Sequence, residues 1–365
     1  MRIGVAREIK PQEGRVALLP EQVQALVAAG HEVAVERGAG ALSGAGDAAY
    51  EAAGARLLAS PDELWGACDL IAKVKEILPP EYPLLEGRHV VFTNLHTALN
   101  RGLTDKLLEV GLTGLSAEEM HRYGTPNSPL AGEVGAFEGL RLCFAPHGGS
   151  GRHFVGHYGS APVTAVVVGL GGAGLGAARV LCRLGCRVIG LDQDAGARYR
   201  AELALAHEGL ETAAIDALPG LFGDFDLLVN CVRWDKARRD HLIARADLAK
   251  LKPTAVLCDI SCDEAGAIET SRPTSWETPT YREDGILHFA VDNIPGAVPV
   301  AASAGYGRAI LPFLLAIGEH GVLEACRRDA WLAKGLTCLG GELVLEETGR
   351  YQDRPFTPVA EILKR

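Results

Sequence analysis

No stretch of this 365-residue chain runs 18 apolar residues without interruption, so no membrane span is expected. The opening residues, MRIGVAREIK, turn charged too soon for a secretory signal. Positive charge is in deficit: 36 Lys and Arg against 46 Asp and Glu give a net charge of −10, which argues against nucleic acid as a partner. None of the nine cysteines lies in a Cys-x-x-Cys pair, and most sit in apolar runs. They read as reduced core thiols of a cytoplasmic protein, neither disulfides nor a zinc site. No internal repeat or low-complexity tract is visible. Aromatic residues are scarce at 6% while hydrophobic residues reach 48%, which suits an Ala/Val/Leu-rich α/β protein. The length suggests two domains with a core each.

What the chain does contain is one strongly ordered stretch, Val163 to Asp194. An apolar, β-branched run, Val163 to Val168, reads as a buried strand. It ends in Gly169-Leu170-Gly171-Gly172-Ala173-Gly174, a Gly-x-Gly-x-x-Gly. A helical segment follows, stopped by Gly185, and a second apolar run ends in Asp192, 18 residues after Gly174. Among 44 glycines the Gly pattern alone would mean little; the full order of strand, loop, helix, strand and Asp predicts a dinucleotide site. Gly169 permits the tight turn, Gly171 lets backbone approach a pyrophosphate, and Gly174 lets the helix pack on the strand. The helix N-terminus offers unpaired N–H groups to phosphates. Asp192 can accept hydrogen bonds from a ribose diol and would repel a 2′-phosphate, so NAD is expected over NADP.

Before this unit, strands are expected at Arg2–Ala6, Glu32–Glu36, Leu70–Val74 and His89–Leu95, alternating with helices from Pro20, Ser60 and Asn100. This alternation is itself a doubly wound α/β domain. Tyr123–Pro129 reads as a turn and Pro129–Leu142 as a helix. His147–Gly159, HGGSGRHFVGHYG, has no periodicity and reads as an ordered loop or a mobile flap. After the dinucleotide unit come strands at Asp226–Val229, Ala255–Ile260 and Ile286–Val291, then a helical pattern from Ala302 to about Ala325. That helix is expected to return to the first domain. The predicted architecture is two Rossmann-like doubly wound domains with a cleft between them: 1–127 with 298–365, and 128–297.

Ligands of open α/β sheets bind beyond the carboxyl ends of strands. Arg15, Lys75, His96 and Asp263 follow such ends. Arg15 suits a bidentate grip on a carboxylate. Lys75 can bind the same carboxylate or polarise a carbonyl oxygen. His96 can exchange a proton near neutral pH, and Asp263 can orient a water, an amine or the nicotinamide ribose. Each has a plainer reading: Lys75 in a solvated turn, His96 as a structural histidine, Arg15 paired with Glu13 or another acid, Asp263 as a cap or turn residue. His147, His153 and His157 have no Cys or carboxylate spacing for a metal and are taken as loop residues.

The segments MRIGVAREIK…EGRVALLP, LIAKVKEILPPEYPLL, the Gly-rich fingerprint, IETSRPT and VDNIPGAVP together resemble the alanine dehydrogenase family, which also includes the N-terminal part of the transhydrogenase α subunit. The resemblance runs nearly end to end. It implies NAD between two Rossmann-like domains and assembly as a dimer or hexamer. It makes Arg15 and Lys75 substrate-binding and His96 and Asp263 the catalytic pair. Gly169, Gly171, Gly172, Ala173, Gly174, Asp192, Arg198, Val232, Arg272 and Asn293 would lie around NAD. Some segments depart: RWDKARRDHLIARADLAKLKP and DISCDEAGAIETS are similar to carboxyethylornithine synthase, and DISCD to lysine-forming saccharopine dehydrogenase. Val300-Ala-Ala-Ser stands where alanine dehydrogenases usually carry an Arg. The expected function is an NAD-dependent dehydrogenase at a CH–N bond, with L-alanine and pyruvate leading. The alternatives are opine-type condensation of a 2-oxo acid with an amino acid's amine, and a transhydrogenase NAD-binding subunit.

Overall fold

The computed structural model of the chain describes residues 1–120, 127–235, 238–262 and 266–365. Two compact units emerge: Met1–Pro126 with Gly296–Arg365, and Asn127–Pro295. The first segment of unit 1 carries β1 (Arg2–Val5), α1 (Pro20–Ala28), β2 (Glu32–Glu36), α2 (Asp47–Ala52), β3 (Arg56–Leu58), α3 (Pro61–Ala67), β4 (Leu70–Ala72), β5 (Val90–Thr93), α4 (Arg101–Val110) and β6 (Thr113–Ser116). Unit 2 carries α5 (Asn127–Leu142), β7 (Thr164–Val168), α6 (Gly172–Arg183), β8 (Arg187–Asp192), α7 (Ala195–Ala204), β9 (Glu211–Ala214), β10 (Leu227–Asn230), β11 (Val256–Asp259), β12 (Thr280–Glu283) and β13 (Ile286–Phe289). Unit 1 resumes with α8 (Pro299–His320), α9 (Val322–Arg328), α10 (Ala330–Lys334), β14 (Leu336–Leu339), β15 (Glu342–Leu343), α11 (Glu346–Gln352) and α12 (Val359–Ile362).

The unit 1 sheet has the order β15-β14-β6-β5-β4-β1-β2-β3. Its first six strands are parallel, and β14 and β15 extend the edge antiparallel. The unit 2 sheet has the order β12-β13-β11-β10-β7-β8-β9, parallel except for β12. Both contain the doubly wound order in which the chain starts mid-sheet and reverses direction beside its first strand. The reversal falls between β1 and β4 in unit 1 and between β7 and β10 in unit 2. These are the Rossmann-like sheets that the sequence predicts.

Each central strand feeds two layers because successive side chains alternate faces. In β7, Ala165 and Val167 join one core and Val166 and Val168 the other. In β1, Ile3 and Val5 enter one core, while Ile71 of neighbouring β4 enters the second. Helix ends follow local chemistry. The Ser60 hydroxyl accepts from Glu63 N–H (3.2 Å) and caps α3. Asn100 Oδ1 accepts from Leu103 N–H (2.9 Å) at the start of α4, and Gly111 closes it in the left-handed region.

The helical pattern expected from Ala302 begins earlier, with Pro299 in the first turn, and breaks at Gly321, whose φ of +75° and extended ψ interrupt the helix before α9. By length and composition α8 could cross a membrane, yet half of it is buried inside the protein. Tyr306, Ile310, Phe313, Leu314 and Ile317 are core residues of unit 1.

Candidate active site

In unit 1, residues after the ends of β1, β4 and β5 form one polar cluster. Glu8 sits in the loop after β1, buried, and its Oε1 accepts from the N–H groups of Val74 (2.6 Å) and Lys75 (3.2 Å). One carboxylate therefore fixes the backbone from which Lys75 projects. Lys73, wholly buried, lies 3.5 Å from Glu8 Oε2 and bonds Glu81. Burial alone would push the Lys73 ammonium down, but Glu8 and Glu81 outweigh it and hold it up. Burial likewise pushes the Glu8 carboxyl up, against the pull of Lys73.

Lys75 itself is nearly buried, its Nζ 3.4 Å from Glu76 Oε2, and Lys10 Nζ bonds Glu76 Oε1 at 3.1 Å. Burial raises the Glu76 carboxyl, but Lys75 and Lys10 together prevail and bring it down to about 2. Arg15 is buried, and its Nε and Nη2 donate to the two oxygens of Glu13 at 2.6 Å each. The plainer reading of Arg15, a partner for Glu13, is therefore present in the fold; the pair is internal, not a surface contact.

His96 follows β5, which ends at Thr93, two residues before the expected Leu95. Its backbone is left-handed, with φ +47°. Its own N–H donates to Glu118 Oε1 (2.7 Å), and its side chain keeps 46% of its surface open. Desolvation lowers its basicity first; Glu118 and Glu76 oppose that, while Lys75 and Lys10 add to it. The open face is thus set in a protein wall that disfavours the imidazolium. The charges on Glu118, Glu8 and Arg15 also all act on the hydroxyl of Tyr306, which burial pushes up and which donates to Lys73 O (3.0 Å). Lys75 thus acts directly on His96, and Arg15 acts with Glu118 on the same Tyr306 hydroxyl.

Unit 2 holds the Gly-rich turn. Gly169 has φ +86°, and its N–H donates to Leu191 O (2.7 Å). A Cβ on Gly174 would stand 1.7 Å from Gly169 O, so only Gly fits there. A Cβ on Gly171 would meet nothing within 4 Å. Gly171 is the N-cap of α6 and no side chain caps its N–H groups. An exposed, uncapped turn beside the strand reversal suits the phosphates of a dinucleotide. Gly172 and Ala173 begin the helix here, packed on α5: a Cβ on Gly132 would fall 1.8 Å from Ala173 O.

Asp192 ends β8. Its Oδ2 accepts from Leu170 N–H (2.7 Å) and its Oδ1 from Asp194 N–H (2.8 Å), so the carboxylate also braces the Gly-rich turn. Arg198 Nη1 donates to Asp192 O (2.6 Å), which sets a cation beside it. Val232 follows β10 across the reversal, its Cγ2 3.1 Å from where a Gly169 Cβ would be. Asn293, buried, accepts from Trp276 Nε1 through its carbonyl (3.4 Å). Arg272 lies on the surface, its guanidinium 3.8 Å from the Tyr281 ring centroid and bonded to Glu283 (3.1 Å).

Asp263 lies outside the described residues, as does most of the turn from Tyr123. The segment leading to Asp263 is anchored by Asp259, whose Oδ1 accepts from Asn230 Nδ2 (2.9 Å), Ser261 N–H (3.1 Å) and Cys262 N–H (3.3 Å). The loop 147–159 closes on itself through paired backbone bonds of His157 and Ser160, and His147 Nε2 meets Arg141 at 2.9 Å. Among the described residues no group of three His, Cys, Asp or Glu is placed to hold a metal.

Sequence reasoning did not single out Glu8, Lys73, Glu118 or Asp259. Lys73 carried a signal, a charge at the end of an apolar strand. Glu118 carried none, because its partners Leu95 and His96 lie 23 and 22 residues away.

Two doubly wound sheets, one bearing a dinucleotide-type turn and the other a charged cluster at its strand ends, define an α/β protein of the dehydrogenase kind. Residues 4–130 match the family model for the alanine dehydrogenase/PNT N-terminal domain, and residues 136–346 that for the C-terminal domain. The alanine dehydrogenase of Mycolicibacterium smegmatis is 34% identical over 371 residues, and that of Mycobacterium tuberculosis strain H37Rv 35%; both alignments cover 100% of each chain. A solved L-alanine dehydrogenase structure superposes with a TM-score of 0.87 at 33% identity, covering 97% of this chain and 99% of that one. The chain belongs to the alanine dehydrogenase/PNT family.

Proposed function

We propose that the chain is an NAD-dependent oxidoreductase acting on the CH–NH2 bond of an L-amino acid, interconverting L-alanine with pyruvate and ammonia. The observation that carries this reading is the end-to-end likeness to alanine dehydrogenases. The open face at Gly171 and the uncapped α6 fit the cofactor's phosphates. Gly169, Gly171, Gly172, Ala173 and Gly174 form the phosphate turn, and Asp192 takes the ribose diol and selects NAD over NADP. Arg198, Val232 and Asn293 complete the cofactor set, and Arg272 joins them with its guanidinium already engaged by Glu283. When bound, NAD would supply reversible hydride transfer at the substrate Cα.

Arg15 and Lys75 hold the substrate carboxylate, Lys75 also polarising the reacting carbonyl oxygen. In the oxidative direction water attacks the imine carbon. His96, neutral near pH 7 because its surroundings disfavour the imidazolium, takes the water's proton and returns it during reductive amination. Asp263 holds the attacking water or amine and stabilises the passing positive charge. The enzyme works in the cytoplasm as a homo-oligomer, dimer or hexamer, read by size-exclusion chromatography with light scattering.

The testing experiment is NADH oxidation with pyruvate or 2-oxoglutarate, each crossed with ammonia, lysine and ornithine. Fastest turnover with pyruvate and ammonia supports the reading. Turnover only with an amino acid's amine would replace it with opine-type condensation.

A further inference from the structure

A left-handed backbone is rare for a residue with a side chain and persists where surroundings impose it. At His96 they do. Both oxygens of Glu118 accept consecutive N–H groups: Oε2 from Leu95 (3.1 Å) and Oε1 from His96 (2.7 Å). The same Oε1 lies 3.7 Å from ring Nδ1, an ion-pair distance once the ring is protonated, too long for a hydrogen bond at rest. Glu118 belongs to the short helical turn Ala117–Glu119 directly after β6, and β6 pairs in register with β5, Ser116 opposite Thr93. The two turns are therefore carried side by side on one sheet.

We propose that Glu118 is the positioning residue for His96: it pins the left-handed turn through two backbone N–H groups and draws ring Nδ1–H toward its own Oε1, leaving Nε2 to exchange the proton. This rests on the role of His96 given above. In the oxidative direction the water oxygen bonds to the iminium carbon, the C=N π pair moves onto nitrogen to give the carbinolamine, and one water proton passes to Nε2. The ring becomes an imidazolium whose Nδ1–H faces Glu118. The proton leaves to solvent before the next turnover, and the reverse reaction takes one up at the same atom. Among the described residues, Lys75 and Lys10 act on the ring against protonation, and Glu118 and Glu76 act for it. Removing Glu118 takes away the largest of the described charges that favour the imidazolium.

The test uses full-length protein with isotope-labelled histidine, His96 assigned by its loss in His96→Gln. In the unaltered protein neutral His96 carries its proton on Nδ1, read from the ring nitrogen shifts. Glu118→Gln lowers the His96 titration midpoint by about one unit. It moves the acid limb of kcat/KM for the amino acid to lower pH and cuts kcat about tenfold, KM staying near its starting value. Glu118→Asp recovers part of both. An Nε2–H tautomer in the unaltered protein, or a midpoint unmoved by Glu118→Gln, overturns the proposal. The tautomer is measurable even where the variant fails to fold. Near-normal turnover in His96→Ala overturns the catalytic role of His96 and this proposal with it; the ring measurement needs no turnover, so the two failures are told apart.

Discussion

Glu13 grips the guanidinium of Arg15 through two hydrogen bonds of 2.6 Å, with the side chains only 0% and 4% exposed respectively. One edge of the Arg15 guanidinium, Nε–H and one Nη2–H, is thus already used, and its orientation is set before any substrate arrives. Arg15→Ala should raise KM for the oxo acid by about tenfold to a hundredfold, the worth of one charge-assisted hydrogen bond, with NADH binding intact. Glu13→Ala leaves a buried cation unpaired and should cost about 3–5 kcal/mol in denaturant unfolding. Unchanged kinetics in Arg15→Ala would remove it from the site.

The glycines of the phosphate turn should separate by what surrounds them. Gly174→Ala forces a Cβ against Gly169 O and should lower both the melting temperature and NADH affinity. Gly171→Ala has room within the protein and should leave melting unchanged while weakening NADH, read by fluorescence titration. Equal NADH affinity in Gly171→Ala and the unaltered protein would place the phosphates elsewhere.

Asp192 should set cofactor choice. The ratio of kcat/KM values should favour NADH over NADPH, and Asp192→Ala should narrow it, because a carboxylate near a 2′-phosphate repels it. Since the same carboxylate braces Leu170 and Asp194, NADH should bind less tightly too. A preference for NADPH, with Arg198 meeting the phosphate, would contradict the assignment.

Glu76 supplies a pH dependence. Its folded carboxyl is depressed from 4.5 to about 2, so its stabilising contribution is present above pH 4.5 and is lost as pH falls toward 2. Glu76→Gln should therefore be less stable than the unaltered protein at neutral pH, and the gap should close on acidification through that window. A gap that stays constant with pH in urea unfolding would show that the Lys75 and Lys10 contacts contribute nothing to folding.

The parts of the fold visible in sequence are those written locally. The β7 turn, α6 and Asp192 lie in one 32-residue stretch, and β1, β2 and β4 are dense apolar runs. Edge elements escaped notice: β15 has two residues and β14 pairs antiparallel through an irregular register, so neither leaves a periodic trace. Arg15, Lys75 and His96 are legible as candidates because strand ends are where sheets bind ligands. The carboxylates on Arg15 and Lys75, Glu13 and Glu76, are near neighbours in sequence, but Glu8 reaches the Lys75 N–H across 67 positions and Glu118 reaches His96 across 22, and only the parallel sheet brings these together. The early end of β5 at Thr93 has the same origin, since Glu118 turns the chain at Leu95 and His96.

The most direct measurement supplies the full-length protein with pyruvate, nitrogen-labelled ammonia and NADH deuterated at the transferring position, and identifies the product by mass and chirality. The expected product is L-alanine carrying the labelled nitrogen and one deuterium at Cα. No labelled alanine, with NADH consumed only when a second amino acid is present and a secondary amine formed, would contradict it.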